Sequence, residues 1–286
     1  MEELSRVVLI HDGPAPAVDP GAKGYALQVV AGGIEALRML AADTDIAAVL
    51  IAPQLPDAGS QKLMQAVARA NPALPVAVLP QSPASMDAAA LEAAITAAAP
   101  VSVTQTPALR PTAFCMLRLA KDGDMTLAFD TLNKAPGVSE CMAVRGSYNL
   151  LLTVQADSAE ALQQTIETNI RPLDSIADLD VVTVVAPPVE DALQPYMAPL
   201  ASDKAGHLVQ YLLIEVMQDA RADVFAQLYF HPAVIACDAT EGKFDMVIQV
   251  QGDSFNEIDA VVSRDIRPLD GIIRVRSLKA MRMYDM

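Results

Sequence analysis

Two short stretches carry residue types that could hold a small molecule. Gly146-Ser147-Tyr148-Asn149 and Gly242-Lys243-Phe244-Asp245 each place a glycine, an aromatic ring and a side-chain acceptor within four residues. A glycine at a hairpin tip reaches backbone conformations closed to other residues. A carboxylate beside it, as at Asp245, can accept backbone N–H bonds or an ammonium group. The same residue types are also ordinary turn formers and core fillers. Little else in the chain suggests catalysis. His11, His207 and His231 are the only histidines, and neither His207 nor His231 is flanked by a second ligand. Cys115, Cys141 and Cys237 form no C-x-x-C pair and lack zinc-site spacing.

The two stretches are equivalent positions of an internal repeat. IRPLD occurs at 170–174 and again at 266–270, an offset of 96 residues. The same offset places Phe129 on Phe225, Leu132 on Leu228, Pro136 on Pro232, Cys141 on Cys237 and Gly146 on Gly242. The chain from about residue 113 onward is therefore two copies of one unit. Each copy predicts strand, helix, strand, strand, helix, strand. In the first copy these fall at 113–119, 125–134, 138–144, 148–155, 158–169 and 179–186. In the second, strands open at 209–216 and close at 272–278, with Ser254-x-x-Glu257 as a capping box. This order is the ferredoxin-like split pattern, βαββαβ. IRPLD reads as the joint after the second helix. Arg171 and Arg267 are expected to cap the last carbonyls, and Pro172 and Pro268 to stop the helix. Leu173 and Leu269 are expected in the core.

The first 110 residues follow a different pattern. Apolar strands at 7–10, 25–31, 47–51, 74–79 and 101–104 alternate with helical stretches at 34–42, 61–70 and 88–98. Alternation of this kind implies a parallel, flavodoxin-like α/β sheet. The expected division is thus 1–110 for the α/β domain, 111–187 and 207–286 for the two α+β modules, and a Pro-rich linker at 188–206. The segment GPAPAVDPGAKG after the first strand carries three prolines and three glycines, so no helix is expected there.

Composition narrows the partners. The formal net charge is −15, and no run of Lys and Arg interrupts it, which argues against direct nucleic-acid binding. No apolar stretch approaches the roughly 20 residues of a membrane span. The N-terminus lacks the pattern of a secretory signal, and the sparse cysteines suit a reducing compartment. A cytoplasmic protein without cofactor is expected.

The N-terminal segment resembles a response-regulator receiver domain. YALQVVAGGIEALRML, AAVLIAPQLPD and PALPVAVLP carry the likeness over most of residues 5–107. The resemblance implies a phosphoacceptor aspartate at the end of the third strand, where this chain has Ala52. Pro80 and Thr106 stand where the family carries a hydroxyl residue and a lysine, and His11-Asp12 keeps one acid of two. Asp12 and Asp57 are expected to be solvated loop carboxylates, with attraction of a cation as the alternative. A docking module rather than a phospho-switch is implied.

The repeated modules resemble the ligand-sensing domain of the Lrp/AsnC amino-acid-responsive regulators, also described as ACT-like. Phe-x-x-Leu-x-x-x-Pro-x-Val and the Gly-x-aromatic-Asp turn before an apolar strand carry this likeness in both copies, with Asn149 replacing the acid in the first. It implies effector contacts at Gly242, Phe244 and Asp245, and at Gly146, Tyr148 and Asn149. It also implies that the two copies pair as an intramolecular pseudo-dimer and that chains associate further. No helix-turn-helix reader is visible. The resulting expectation is a non-enzymatic regulator acting through protein partners. The alternatives are an amino-acid sensor acting on transcription through a partner, and an α+β barrel enzyme of tetrapyrrole or monooxygenase type.

Overall fold

Val7, Val8, Leu9 and Ile10 have no solvent exposure, because the strand they form lies inside a parallel sheet. The computed structural model of the chain describes residues 5–13, 25–43, 45–102, 110–197 and 208–281. Strands β1 (Ser5–Ile10), β2 (Tyr25–Val30), β3 (Ala48–Ile51) and β4 (Val76–Val78) lie in the order β2-β1-β3-β4, all parallel. Helices α1 (Gly33–Ala42), α2 (Ser60–Ala70) and α3 (Ala88–Ala97) connect or follow them. Their apolar residues, such as Leu37, Leu63 and Leu91, are buried, as a helix packed on a sheet requires. A fifth strand was expected at 101–104. Val101 and Ser102 form none, and the remainder lies outside the described residues. The expected absence of a helix after β1 concerns residues 14–24, which also lie outside them.

The first copy contributes β5 (Thr112–Leu119), α4 (Met125–Asn133), β6 (Val138–Arg145), β7 (Leu150–Gln155), α5 (Ala159–Thr165) and β8 (Ile176–Val184). The second contributes β9 (Leu208–Val216), α6 (Arg221–Phe230), β10 (Val234–Gly242), β11 (Met246–Gly252), α7 (Phe255–Val261) and β12 (Ile272–Met281). Each copy is a four-stranded antiparallel sheet, β6-β7-β5-β8 and β10-β11-β9-β12. The two sheets then join edge to edge. β12 pairs with β6 through Lys279↔Arg145, Ala280↔Val144 and Met281↔Ala143. β8 pairs with β10 through Val184↔Thr240, Thr183↔Glu241 and Val182↔Gly242. The result is a closed eight-stranded barrel. Closure removes all four sheet edges, each of which would otherwise expose unpaired N–H and C=O groups.

Alternate strand residues face two different cores. On the helix side of the first copy, Cys115, Leu117, Leu132, Leu152, Leu162 and Ile166 form one buried cluster. In the barrel lumen, Phe114, Met116, Tyr148, Tyr211, Leu213 and Phe244 belong to another, drawn from both copies. Burial raises the Cys115 and Cys141 thiols to about 12, so neither is a thiolate near neutrality.

The second helix of each copy begins as expected. Ser158 Oγ accepts from Ala161 N at 3.1 Å, and Ser254 Oγ from Glu257 N at 3.2 Å. Glu257 Oε2 returns a bond from Asp253 N at 2.9 Å, one residue before the cap. Both helices end in a feature the periodicity did not show. A single π-helical turn follows each, at Ile166–Ile170 and Val262–Ile266, closed by Arg171 N on Ile166 O and Arg267 N on Val262 O. The wider turn seats Ile170 and Ile266 with no solvent exposure. The Arg171 side chain does not cap the carbonyls as expected. It pairs with Glu167 one turn earlier at 2.8 Å, the closer and oppositely charged partner. Leu173 packs against the helix-side cluster.

The described chain divides into two compact units. One is built from Met1–Thr106, Val189–Ala198 and Ala226–Pro232, the other from Pro107–Pro188, Pro199–Phe225 and Ala233–Met286. Within the first unit, Lys62 Nζ donates to the carbonyls of Tyr229 and His231, at 3.0 and 2.8 Å. In the Pro-rich segment, Gln194–Tyr196 forms one 3-10 turn, and residues 198–207 lie outside the described set. Among the described residues no helix is long and apolar enough to cross a membrane.

Candidate functional site

Both Gly-x-aromatic-acceptor turns lie at the seams of the barrel. Gly242 pairs with Val182 across the β8–β10 seam, and its φ of 132° is one that side chains other than glycine rarely tolerate. Gly146 sits just beyond β6 at the other seam. A Cβ there would lie 2.7 Å from Ser277 O and 2.8 Å from Leu278 Cδ2 on β12. The glycines therefore let two strands of different copies approach. The aromatic rings turn inward. Tyr148 is 2% exposed and Phe244 1%, both in the lumen cluster.

The acceptors do the same work in both copies. Asp245 Oδ2 accepts from Val216 N at 2.9 Å, and Asn149 Oδ1 from Leu119 N at 2.9 Å. Each holds the end of the first strand of its own copy, β9 or β5. A neutral amide oxygen serves this purpose as well as a carboxylate, which explains why Asn149 can replace the acid.

Around these turns the copies have diverged. Asp180 on β8 accepts from Tyr148 OH at 2.6 Å and from Lys243 Nζ at 2.5 Å. Arg118 stacks on the Tyr148 ring, 4.9 Å from its centroid, and pairs with Asp178. Burial alone would raise the Asp180 carboxyl. The Lys243 and Tyr148 hydrogen bonds outweigh it and hold the group below the usual carboxylate range. At the equivalent position of the second copy, Arg276 lies 5.6 Å from the Phe244 ring centroid. Asp180 thus contributes stability that is present above the unfolded carboxylate pKa and lost as pH falls through its lowered folded value. Asp180→Ala leaves the buried Tyr148 hydroxyl without its acceptor, and urea denaturation at pH 7 is expected to show a loss of about 1–3 kcal/mol. The loss should shrink as the pH is lowered toward 3.

A family model matches the two repeated modules. The Lrp/AsnC ligand binding domain matches twice, over residues 112–193 and 210–286. The chain belongs to the Lrp/AsnC family. No curated protein matches it. Among solved structures, a hypothetical protein from Pyrococcus horikoshii is 28% identical, covers 27% of this chain and 90% of its own, and has a TM-score of 0.25. A transcriptional regulator–L-Met complex from Neisseria meningitidis is 21% identical, covering 31% of this chain and 63% of its own, at TM-score 0.25. The siroheme decarboxylase NirDL is 13% identical, covering 60% of this chain and 71% of its own, at TM-score 0.44. These scores carry no argument about activity.

The Lrp/AsnC modules hold further polar residues outside the two Gly-x-aromatic turns. Asp238 on β10 lies opposite Val247 of β11, and Val247 belongs to the lumen cluster, so Asp238 faces the lumen too. Gln249 and Gln251 face the same way, opposite Tyr211 and Val209 of β9. Across the lumen, Tyr211 OH donates to Glu140 Oε2 at 3.2 Å, linking the two Lrp/AsnC modules. Burial raises the Tyr211 hydroxyl, with Glu140 adding to the effect. The signal that would have exposed this set is the repeat itself. The 96-residue offset lays Met142 on Asp238 and Thr153 on Gln249.

In the N-terminal sheet, Ala52 follows β3 and is buried. Its N–H donates to Ile10 O, and its carbonyl accepts from Ser60 Oγ at 2.7 Å. Asp57 is not the solvated loop carboxylate expected. Its two oxygens accept from Gly33 N at 2.8 Å and Ile34 N at 3.1 Å, capping α1 from 24 residues away. Among the described residues no group of three His, Cys, Asp or Glu side chains could hold a metal.

Proposed function

We propose that this protein is a regulatory adaptor, in which a receiver-like domain that cannot be phosphorylated is joined to an internal pair of Lrp/AsnC modules. The observation that carries the reading is the closed barrel. One chain supplies both halves of a paired sensor, so the sensing body exists without a second subunit. A domain boundary near residue 110 and a linker at 188–206 belong to the same reading. The parallel order β2-β1-β3-β4 supports a receiver-like ancestry. Ala52 at the end of β3 removes the only nucleophile such a domain uses. Signal would then pass through protein contacts, with a small amino-acid-type effector at the Gly146 and Gly242 turns as the family resemblance implies.

Treatment with acetyl phosphate and Mg²⁺ followed by intact-mass measurement is expected to leave the mass unchanged. A single +80 Da species on the N-terminal domain would overturn the phosphorylation-independent reading. The closed barrel also favours a second reading, an α+β barrel enzyme of tetrapyrrole or monooxygenase type. Saturable haem or flavin uptake, followed by visible absorbance, would carry that alternative over the first.

A further inference from the structure

The polar residues on one wall of the barrel lumen are short of hydrogen-bond donors. Gln249 is 7% exposed, yet among the described residues its Oε1 has no partner, and neither has Oε1 of Gln251. Interchanging the oxygen and nitrogen of either amide would still leave a polar atom aimed into the lumen. Among the described residues, none makes a hydrogen bond or ion pair with the carboxylate of Asp238, which stands on β10 beside β11. Burial raises it to about 6. A buried polar atom without a partner costs free energy, and natural proteins seldom leave two such amides side by side on one wall.

The register brings Asp238 and Gln249 within reach of one another. Asp238 lies beside Val247, and Gln249 and Gln251 are the next two lumen-facing residues of β11. Gln249 is thus the diagonal neighbour of Asp238, near enough for a long side chain to meet it, and Gln251 lies one pleat farther along the strand. Asp238 and Gln249 together offer one carboxylate and one amide oxygen. An ammonium group carries one positive charge and three donors, which match the charge and satisfy both acceptors. A ligand with its own carboxylate would be repelled there, which separates this site from the effector turns at the seams.

We propose that the barrel lumen binds a small primary amine, its ammonium group held by Asp238 and Gln249 and its carbon chain lying along the apolar wall that includes Tyr211 and Leu213.

Titration calorimetry of the full chain at pH 7.5 tests this with putrescine and phenethylamine as probes and 1,4-butanediol as the uncharged control. At least one amine is expected to bind at about one per chain, and the diol not at all. Asp238→Asn keeps the volume and removes the charge. It is expected to weaken amine binding about tenfold or more, the value of a hydrogen bond to a charged group. Its cooperative thermal melt should be retained. Heat from neither amine, or an unchanged affinity in the still-folded variant, overturns the proposal. Loss of amine binding in a Gln249→Leu variant that melts like the parent provides an independent second reading.

Discussion

Asp238→Asn is expected to make the protein more stable at pH 7.5 and to change little at pH 4. The carboxyl is held at about 6 in the folded barrel by burial, against 3.8 for an ordinary aspartate. Between those values the folded state keeps a proton that the unfolded chain has released. Stability contributed by this group is therefore full below about pH 4, falls as pH rises toward 6, and levels off above it. The whole difference corresponds to about 3 kcal/mol, taking about 1.4 kcal/mol for each unit. The amide titrates nowhere in this range, so the variant lacks that decline. Asp180 and Asp259 act in the opposite sense. A Lys279 hydrogen bond is the largest cause holding Asp259 low, as Lys243 assists at Asp180. Only the difference between parent and variant isolates Asp238. Urea midpoints of both proteins at pH 4, 5, 6 and 7.5 should diverge progressively up to pH 6. Parallel curves would show that the carboxylate is not isolated in the lumen.

Gly146→Ala is expected to open the β6–β12 seam. Its Cβ would meet a backbone carbonyl, Ser277 O, at 2.7 Å, and backbone cannot move aside as a side-chain tip can. Relief requires β12 to withdraw from β6, where three residue pairs hold the closure. A loss of about 2–4 kcal/mol is expected, at the upper end of overpacking and of point mutations generally. Gly242→Ala meets Val181 O at 3.0 Å and should cost less, though its φ adds strain. Equilibrium denaturation ranks the two, and hydrogen exchange shows where the damage lies. Amides of Lys279 and Met281 should lose protection in the Gly146 variant while those of β9 keep it.

Much of the fold could be read from residue order alone. The 96-residue offset laid one copy on the other, and the capping serines, the prolines at 136 and 232, and the apolar runs located most of the elements. The edge pairing could not be read. β6, β8, β10 and β12 are edge strands of their own sheets, and nothing in a strand's pattern names the partner across a seam. The lumen was hidden for a related reason. Strands such as β11, with Met246, Val247 and Ile248 all buried, are covered on both faces, so the alternation that distinguishes inside from outside is lost. Asp238 then passes for a surface acid. The Gly-x-aromatic-Asp turn was visible as a motif, yet its rings and acceptors proved to be held by the barrel. The cap made by Asp57 on α1 depends on a contact that only the folded sheet brings about.

The barrel built from two unequal copies has a consequence for counting. Two identical chains would place every lumen residue twice, related by an exact twofold axis. Here Met142 answers Asp238, Thr153 answers Gln249, and Asp180 answers Arg276. With both copies in one chain, each half is free to differ from the other. One wall could gain Asp238 and Gln249 where the other carries Met142 and Thr153, which a homodimer could never do. The saturation curve of a lumen occupant should accordingly be a plain hyperbola, with no second equivalent berth to couple to the first.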